Sequence, residues 1–345
     1  MCRNNSQKRA GHPSRADRQR DGFALPKPLV LAAFLLAVLG LSCSRVDPET
    51  KRDIATARSH VVPVDPSHFL PEAIVGEVVQ ERRTLSNGIE TLCYVFQTYS
   101  EPHEHEMGPW SPRTITDGEE TGGIWLKEGQ VYNVDGPFVE RMAEFYEDPE
   151  WRLYRDDGSV RVTDTKEAFE AAARPDVDPR YHNYVVEGRP EWVGRRLTTY
   201  VIPVNPIYLA EPNRLGHGAL GVAFNGVNFD PPAPIHAIIG AHTIAPFDHA
   251  GGHLNPHAGY HYHAATGHTK EIPQPDGHAP MIGYALDGFA LFAHLDPEQN
   301  PAEDLDECNG HFDSVRGYHY HVGSPGSNEI IKGFRGQVGS ATVAE

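Results

Sequence analysis

Apolar positions along the chain fall mostly in short runs rich in β-formers, and only twice at helical spacing. Within 84–99, the run Gly88-Ile89, then Thr91-Leu92-Cys93-Tyr94-Val95-Phe96, predicts a strand. Gly123-Ile124-Trp125-Leu126 predicts another, with Val131-Tyr132 following. The stretch Leu197 to Leu209 is β-rich but interrupted by Pro203 and Pro206, which suits the edge of a sheet. Residues 221–229 (GVAFNGVNF) place Asn225-Gly226 between β-formers, the signature of a two-residue hairpin turn. Helical spacing occurs in Pro137 to Tyr146, through Phe138, Met142, Phe145 and Tyr146. It recurs over 166–173 (KEAFEAAA), with Thr163 and Thr165 as candidate caps. The expected fold is β-rich: mainly antiparallel strands, long loops and a few short helices.

The N-terminus changes the picture. Seven Lys/Arg and two Asp lie in residues 1–42, and an apolar run extends from Leu29 to Leu41. That run is too short to span a bilayer comfortably, and a basic segment ahead of it reads as an export signal. Leu39-Gly40-Leu41-Ser42-Cys43 is similar to a bacterial lipoprotein cleavage site. The expectation is an exported, extracytoplasmic protein, either lipid-anchored at Cys43 or cleaved nearby and soluble in the periplasm. Membrane contact is expected only through that anchor. The domain organisation expected is a signal over 1–42, a tether over 43–80, a β-rich region over 81–195, a C-terminal domain over 196–336 and a tail over 337–345. In an oxidising compartment Cys93 and Cys308 could form one disulfide. The net charge of -17 argues against nucleic acid as the main partner.

Histidine is the compositional anomaly. Of 20 histidines, 14 lie between His217 and His321. Gly252-His253, five residues, then Gly259-Tyr260-His261-Tyr262-His263 is matched by Gly310-His311, five residues, then Gly317-Tyr318-His319-Tyr320-His321. An acidic residue, Asp248 or Asp306, precedes each unit. Coincidence at this many fixed positions indicates an internal pseudo-repeat in the C-terminal domain, too sparse for a solenoid.

Over about 195–336 the chain resembles the YHYH-domain family. The resemblance rests on GVAFNGV (221–227), FDHAGGH (247–253), GYHYH (259–263), IGYALDGF (282–289), LDECNGH (305–311), GYHYH (317–321) and FRG (334–336). Family members usually carry Cys in the first D-x-C-x-G-H unit and in a C-F-R-G ending. Here those places hold Ala250 and Gly333, while Cys308 is kept. The upstream N-G-[IL]-P-x-H element is only partly present, as Asn87-Gly88-Ile89. The resemblance implies a domain rather than a reaction.

On a strand, side chains alternate, so His261 and His263 share one face and Tyr260 and Tyr262 the other; His319 and His321 do likewise. Two imidazoles at i and i+2 with a third from nearby, His253 or His311, make a tridentate nitrogen site. Asp248 and Asp306 are candidate ligands, partners of the imidazoles or bases. Asp287 is a candidate general base, with a tight Asp-Gly turn as the alternative. Imidazole-rich ligation favours Zn or Cu. His103-Glu104-His105-Glu106 is a weaker candidate ligand set. His217, His236, His242, His249, His257 and His268 have no assigned place.

Three functions stand together at this point. One is an exported protein binding one or two transition-metal ions, able to activate water or to do redox chemistry. The second is a cell-surface scaffold, with the YHYH strands as packed core and a small-molecule or surface ligand. The third is periplasmic metal storage or delivery. Whether the protein is an enzyme is left open by the sequence.

Overall fold

The computed structural model describes residues 60–163, 165–171 and 193–344. The export signal, Cys43 and the last residues of the 166–173 segment lie outside them. Sixteen strands, four short α-helices and two single-turn 3-10 helices make up the described elements. The strands are β1 Ile74–Thr84, β2 Glu90–Tyr99, β3 Ile124–Lys127, β4 Gln130–Asn133, β5 Leu197–Pro203, β6 Tyr208–Asn213, β7 Gly221–Ala223 and β8 Asn228–Phe229. They continue as β9 Gly252–Asn255, β10 Gly259–Tyr262, β11 Met281–Ala285, β12 Ala290–Phe292, β13 Gly310–Asp313, β14 Gly317–His321, β15 Phe334–Gly336 and β16 Ser340–Val343. The helices are α1 Gly136–Glu140, α2 Met142–Phe145, α3 Lys166–Ala171 and α4 Ile235–Gly240. Asp135 caps α1 by accepting from the Phe138 N–H at 2.7 Å, and Thr165 Oγ1 accepts from the Ala168 N–H at the start of α3.

An eight-stranded sheet holds the histidine motifs, in the order β13-β14-β12-β11-β7-β8-β10-β9. At its centre β11 pairs antiparallel with β7. Outward from there, each half repeats the same pairings. The hairpin β7–β8 runs parallel to β10, which pairs antiparallel with β9. The hairpin β11–β12 runs parallel to β14, which pairs antiparallel with β13. A four-stranded antiparallel sheet, β1-β2-β5-β16, packs its Phe96, Tyr200 and Ile202 into the same core as Phe229, Tyr260, Tyr262 and Tyr320.

Several expectations change here. The Asn225-Gly226 turn is a three-residue loop with a bulge: the Gly226 N–H donates to Ala223 O and the Ala223 N–H to Val227 O. Only Gly226 of that loop has positive φ (90°), whereas a two-residue type I′ turn needs two such residues. Leu286-Asp287-Gly288 closes β11–β12 with the same bonds, Gly288 to Ala285 and Ala285 to Phe289, and Gly288 again has positive φ (91°). β5 is interior rather than an edge strand, lying between β2 and β16. Its Pro203 is tolerated because it stands at the strand's end, beyond the residues that pair with β16. The expected tether to residue 80 contains most of β1, and the expected tail contains β16. β2 pairs with β5 from Cys93↔Pro203 to Tyr99↔Leu197, so this sheet crosses the 195/196 boundary. Cys93 and Cys308 are both buried and both free, and are not bonded to each other.

Candidate metal centres

Strand alternation divides each GYHYH unit into two chemistries. On one face Tyr260 packs against Tyr262, and Tyr318 against Tyr320, with ring centroids 5.3 and 5.2 Å apart. The Tyr260 hydroxyl donates to Asp248 Oδ2 at 2.6 Å, and the Tyr318 hydroxyl to Asp306 Oδ2 at 3.0 Å. The Tyr320 hydroxyl donates to Asp287 Oδ2 at 2.5 Å. In the other half the corresponding loop residue is Asn225, whose Nδ2 donates to the Tyr262 hydroxyl at 2.7 Å. The glycine before each lone histidine follows from this packing. A Cβ on Gly252 would lie 2.4 Å from the Tyr260 hydroxyl, and one on Gly310 2.2 Å from that of Tyr318.

Asp248, Asp306 and Asp287 therefore sit on the tyrosine side, and the structure does not bring them to the imidazoles. Each also accepts backbone N–H groups: Asp248 from Ala250 and Gly252, Asp306 from Cys308 and Gly310, Asp287 from Gly336. Burial pushes Asp248 above the usual carboxylate range and Asp287 up to about 6. Burial likewise drives the Tyr260, Tyr262 and Tyr320 hydroxyls well above their ordinary value. Their role in place is to anchor turns and tyrosines. Glu104 and His105 join the same layer, Glu104 accepting from Asn225 Nδ2 at 2.7 Å and His105 Nε2 lying 3.3 Å from the Tyr260 hydroxyl.

On the opposite face the imidazoles converge in two separate groups. In the first, His253 stands directly across the β9–β10 ladder from His261, and His263 follows β10. The Nε2 atoms of His261 and His263 are 3.1 Å apart, and those of His263 and His253 are 3.3 Å apart. In the second, His311 stands across from His319 on β13–β14. His319 Nε2 is 3.0 Å from His311 Nε2 and 3.0 Å from His278 Nε2. His321 completes this group, with its Nε2 shielded and without a hydrogen-bond partner. β10 and β14 are five strand spacings apart in the sheet, on the order of 20 Å, so the two groups are separate sites.

The tautomers are set by the backbone. A carbonyl only accepts, so the ring nitrogen beside it carries the proton. His261 Nδ1 donates to Gly259 O at 3.0 Å and His263 Nδ1 to Pro231 O at 2.5 Å. His319 Nδ1 donates to Gly317 O at 3.0 Å, His321 Nδ1 to Ala293 O at 3.1 Å and His278 Nδ1 to Ala279 O at 3.0 Å. Their Nε2 atoms are thus bare lone pairs facing one another. The Asn255 amide Nδ2 stands 3.4 Å from His261 Nε2. Burial, with the neighbouring imidazoles, holds His253 and His263 well below the ordinary imidazole value. Burial takes His319 down to about 2 and His321 to about 3. Protonation is therefore not how the lone pairs of His263, His319 and His321 are satisfied near neutral pH. Their spacing suits a metal ion: ligands at about 2.0–2.1 Å in a tetrahedron lie about 3.3 Å apart, close to the distances here. Backbone carbonyls bonded to the far ring nitrogen are a usual support of metal-ligating histidine. Both groups can hold a metal ion.

One member, His278, and one neighbour, Asp230, escaped the sequence reading. His278 precedes β11 in a Pro-rich loop. Arg316 ties that loop down: Nη2 donates to both carboxylate oxygens of Asp276 at 2.5 Å, and Nη1 donates to Asp313. Its one signal was the spacing of Gly277-His278 ahead of β11, similar to Gly216-His217 ahead of β7, but His217 is exposed and does not belong to the first group. Asp230 lies beside the first group, its Oδ2 3.9 Å from His261 Nε2, and burial pushes it above the usual carboxylate range. Of the unassigned histidines, His217, His236, His249, His257 and His268 are exposed, and His242 Nε2 bonds Asp148 Oδ2 at 2.7 Å.

A family model described as YHYH protein matches residues 199–303. That span holds the whole first histidine group and, from the second, His278. No curated protein and no solved structure matches the chain. Residues 199–303 thus form a YHYH domain.

Proposed function

We propose that this protein binds two transition-metal ions, one in each histidine group, with Zn or Cu as the ions that imidazole-rich donor sets select. The observation that carries the reading is the orientation of the imidazoles. Five of the seven give their Nδ1 proton to a backbone carbonyl and turn a bare Nε2 inward. Such an arrangement repels itself unless a cation stands among the lone pairs. A packed scaffold core would gain nothing from it, because neutral imidazoles could pair donor to acceptor instead.

The site residues of this reading are His253, His261 and His263 in one group, and His278, His311, His319 and His321 in the other. The two halves of the sheet are then a duplicated metal-binding unit. Export through the 1–42 signal, with anchoring at Cys43, fits a protein that meets its metal outside the cytoplasm. The test is metal content in two double variants of the full chain. His261→Ala with His263→Ala should lose one equivalent of metal, and His319→Ala with His321→Ala the other. Unchanged metal content in both folded variants would overturn the reading.

A further inference from the structure

We propose that Asp230 is the fourth metal ligand of the first group, which makes that centre a three-imidazole, one-carboxylate site unlike the four-imidazole second centre. The inference rests on the metal-centre reading above and deepens it.

The sheet register brings Asp230 there. Phe229 at the end of β8 pairs with Tyr262 of β10. The Asp230 N–H then donates to Tyr262 O at 2.9 Å, placing Asp230 alongside His263. The next residue, Pro231, is the one whose carbonyl holds the His263 ring. Asp230 is therefore fixed by the same short segment that orients a ligand. Its carboxylate has nothing else to do. Oδ1 is fully shielded and has no hydrogen-bond partner. Oδ2 faces His261 Nε2 at 3.9 Å, but that ring's proton is on Nδ1, bound to Gly259 O. A buried carboxylate without donors is costly, and so are the converging bare Nε2 lone pairs of His261 and His263. The Asp230 carboxylate and the Nε2 atoms of His261 and His263 are acceptors, so they cannot satisfy one another. One cation satisfies them together.

The second half of the sheet shows the alternative. There β12 pairs Leu291 with Tyr320 and Phe292 with His321, so the position corresponding to Asp230 holds Phe292. Its ring packs edge-on against His278 and His319, with centroids 4.7 and 5.0 Å apart. The fourth donor of that centre comes instead from His278, on the loop held by Arg316. One centre thus carries a negative ligand and the other only neutral ones. Carboxylate with imidazole accommodates Zn, Fe and Mn, whereas a purely imidazole set is more selective for Zn and Cu.

The experiment titrates the metal-free full chain with Zn(II) against a chromophoric chelator, in wild type, Asp230→Asn, Asp230→Ala and His278→Ala. Wild type should take up two equivalents. Both Asp230 variants should weaken one equivalent by roughly tenfold to a hundredfold and leave the other unchanged, while His278→Ala weakens the other. Electron paramagnetic resonance of the Cu(II)-loaded wild type should show two distinct signals of equal weight, a readout that needs no variant to fold. Two tight Zn(II) equivalents undisturbed in both Asp230 variants, or a single all-nitrogen Cu(II) signal, would overturn the Asp230 assignment and leave the metal centres standing. No uptake by wild type would overturn both.

Discussion

Removing metal should leave a protein that acid destabilises between pH 7.5 and 5.5, a range in which most folded proteins change little. His263, His319 and His321 are buried, and their folded-state values lie well below that of a free imidazole near 6.5. Below pH 6.5 the unfolded chain takes up protons that the folded protein refuses, so stability falls as pH falls. At pH 5.5 each such histidine costs about 1.4 kcal/mol, about 4 kcal/mol for the three. Buried carboxylates act in the opposite sense. Asp287, raised to about 6, is protonated in the fold before it is in the unfolded chain, and returns about 1 kcal/mol at pH 5.5. The net loss is about 3 kcal/mol, a large part of a typical stability. The assay is urea unfolding of chelator-treated protein followed by tryptophan fluorescence. With m near 3 kcal/mol/M, the midpoint should drop by about 1 M between pH 7.5 and 5.5. An unchanged midpoint would refute the argument that these imidazoles are held neutral by burial.

Other outcomes follow from single contacts. Asp287→Asn removes the opposing carboxylate, so the same acid step should grow by about 1 kcal/mol, read from the same urea midpoints; an identical step would contradict the raised value. A Cβ on Gly333 would stand 3.1 Å from Cys308 Sγ. Gly333→Cys should therefore form a disulfide with Cys308 under oxidising conditions, detectable as loss of free thiol, with about 3 kcal/mol of stabilisation reversed by reductant. Persistence of both the Cys308 thiol and the introduced one would contradict that placement. Arg316→Gln frees the loop bearing His278, so Zn(II) affinity at the second centre should fall about tenfold while the first is unaffected; a second-centre affinity unchanged from wild type would show that the loop holds without its clamp.

Much of this was legible in the sequence because strand alternation is local. The period of two separates His261 and His263 from Tyr260 and Tyr262 whatever the rest of the chain does. Fixed spacing likewise brought His253 and His311 to the right hairpins. What could not be read depends on register between distant strands. Asp248, Asp306 and Asp287 are spaced as plausible partners of the histidines, yet the turns they sit in aim them at the tyrosine hydroxyls. Asp230 and His278 enter only because β8 runs beside β10 and because Arg316 pins a loop 40 residues away in sequence. Pro203 misled for a related reason: proline disfavours an interior strand only where its missing N–H is needed, and at the last residue of β5 it is not.

The most direct test of the central claim is elemental analysis of the full chain, purified without chelator and without a histidine tag. Transition metal at close to two equivalents per chain, or two equivalents regained on titration after stripping, is the predicted result. Folded protein that holds no transition metal and takes none up would mean that the two imidazole groups are architecture, and the account would fail at its root.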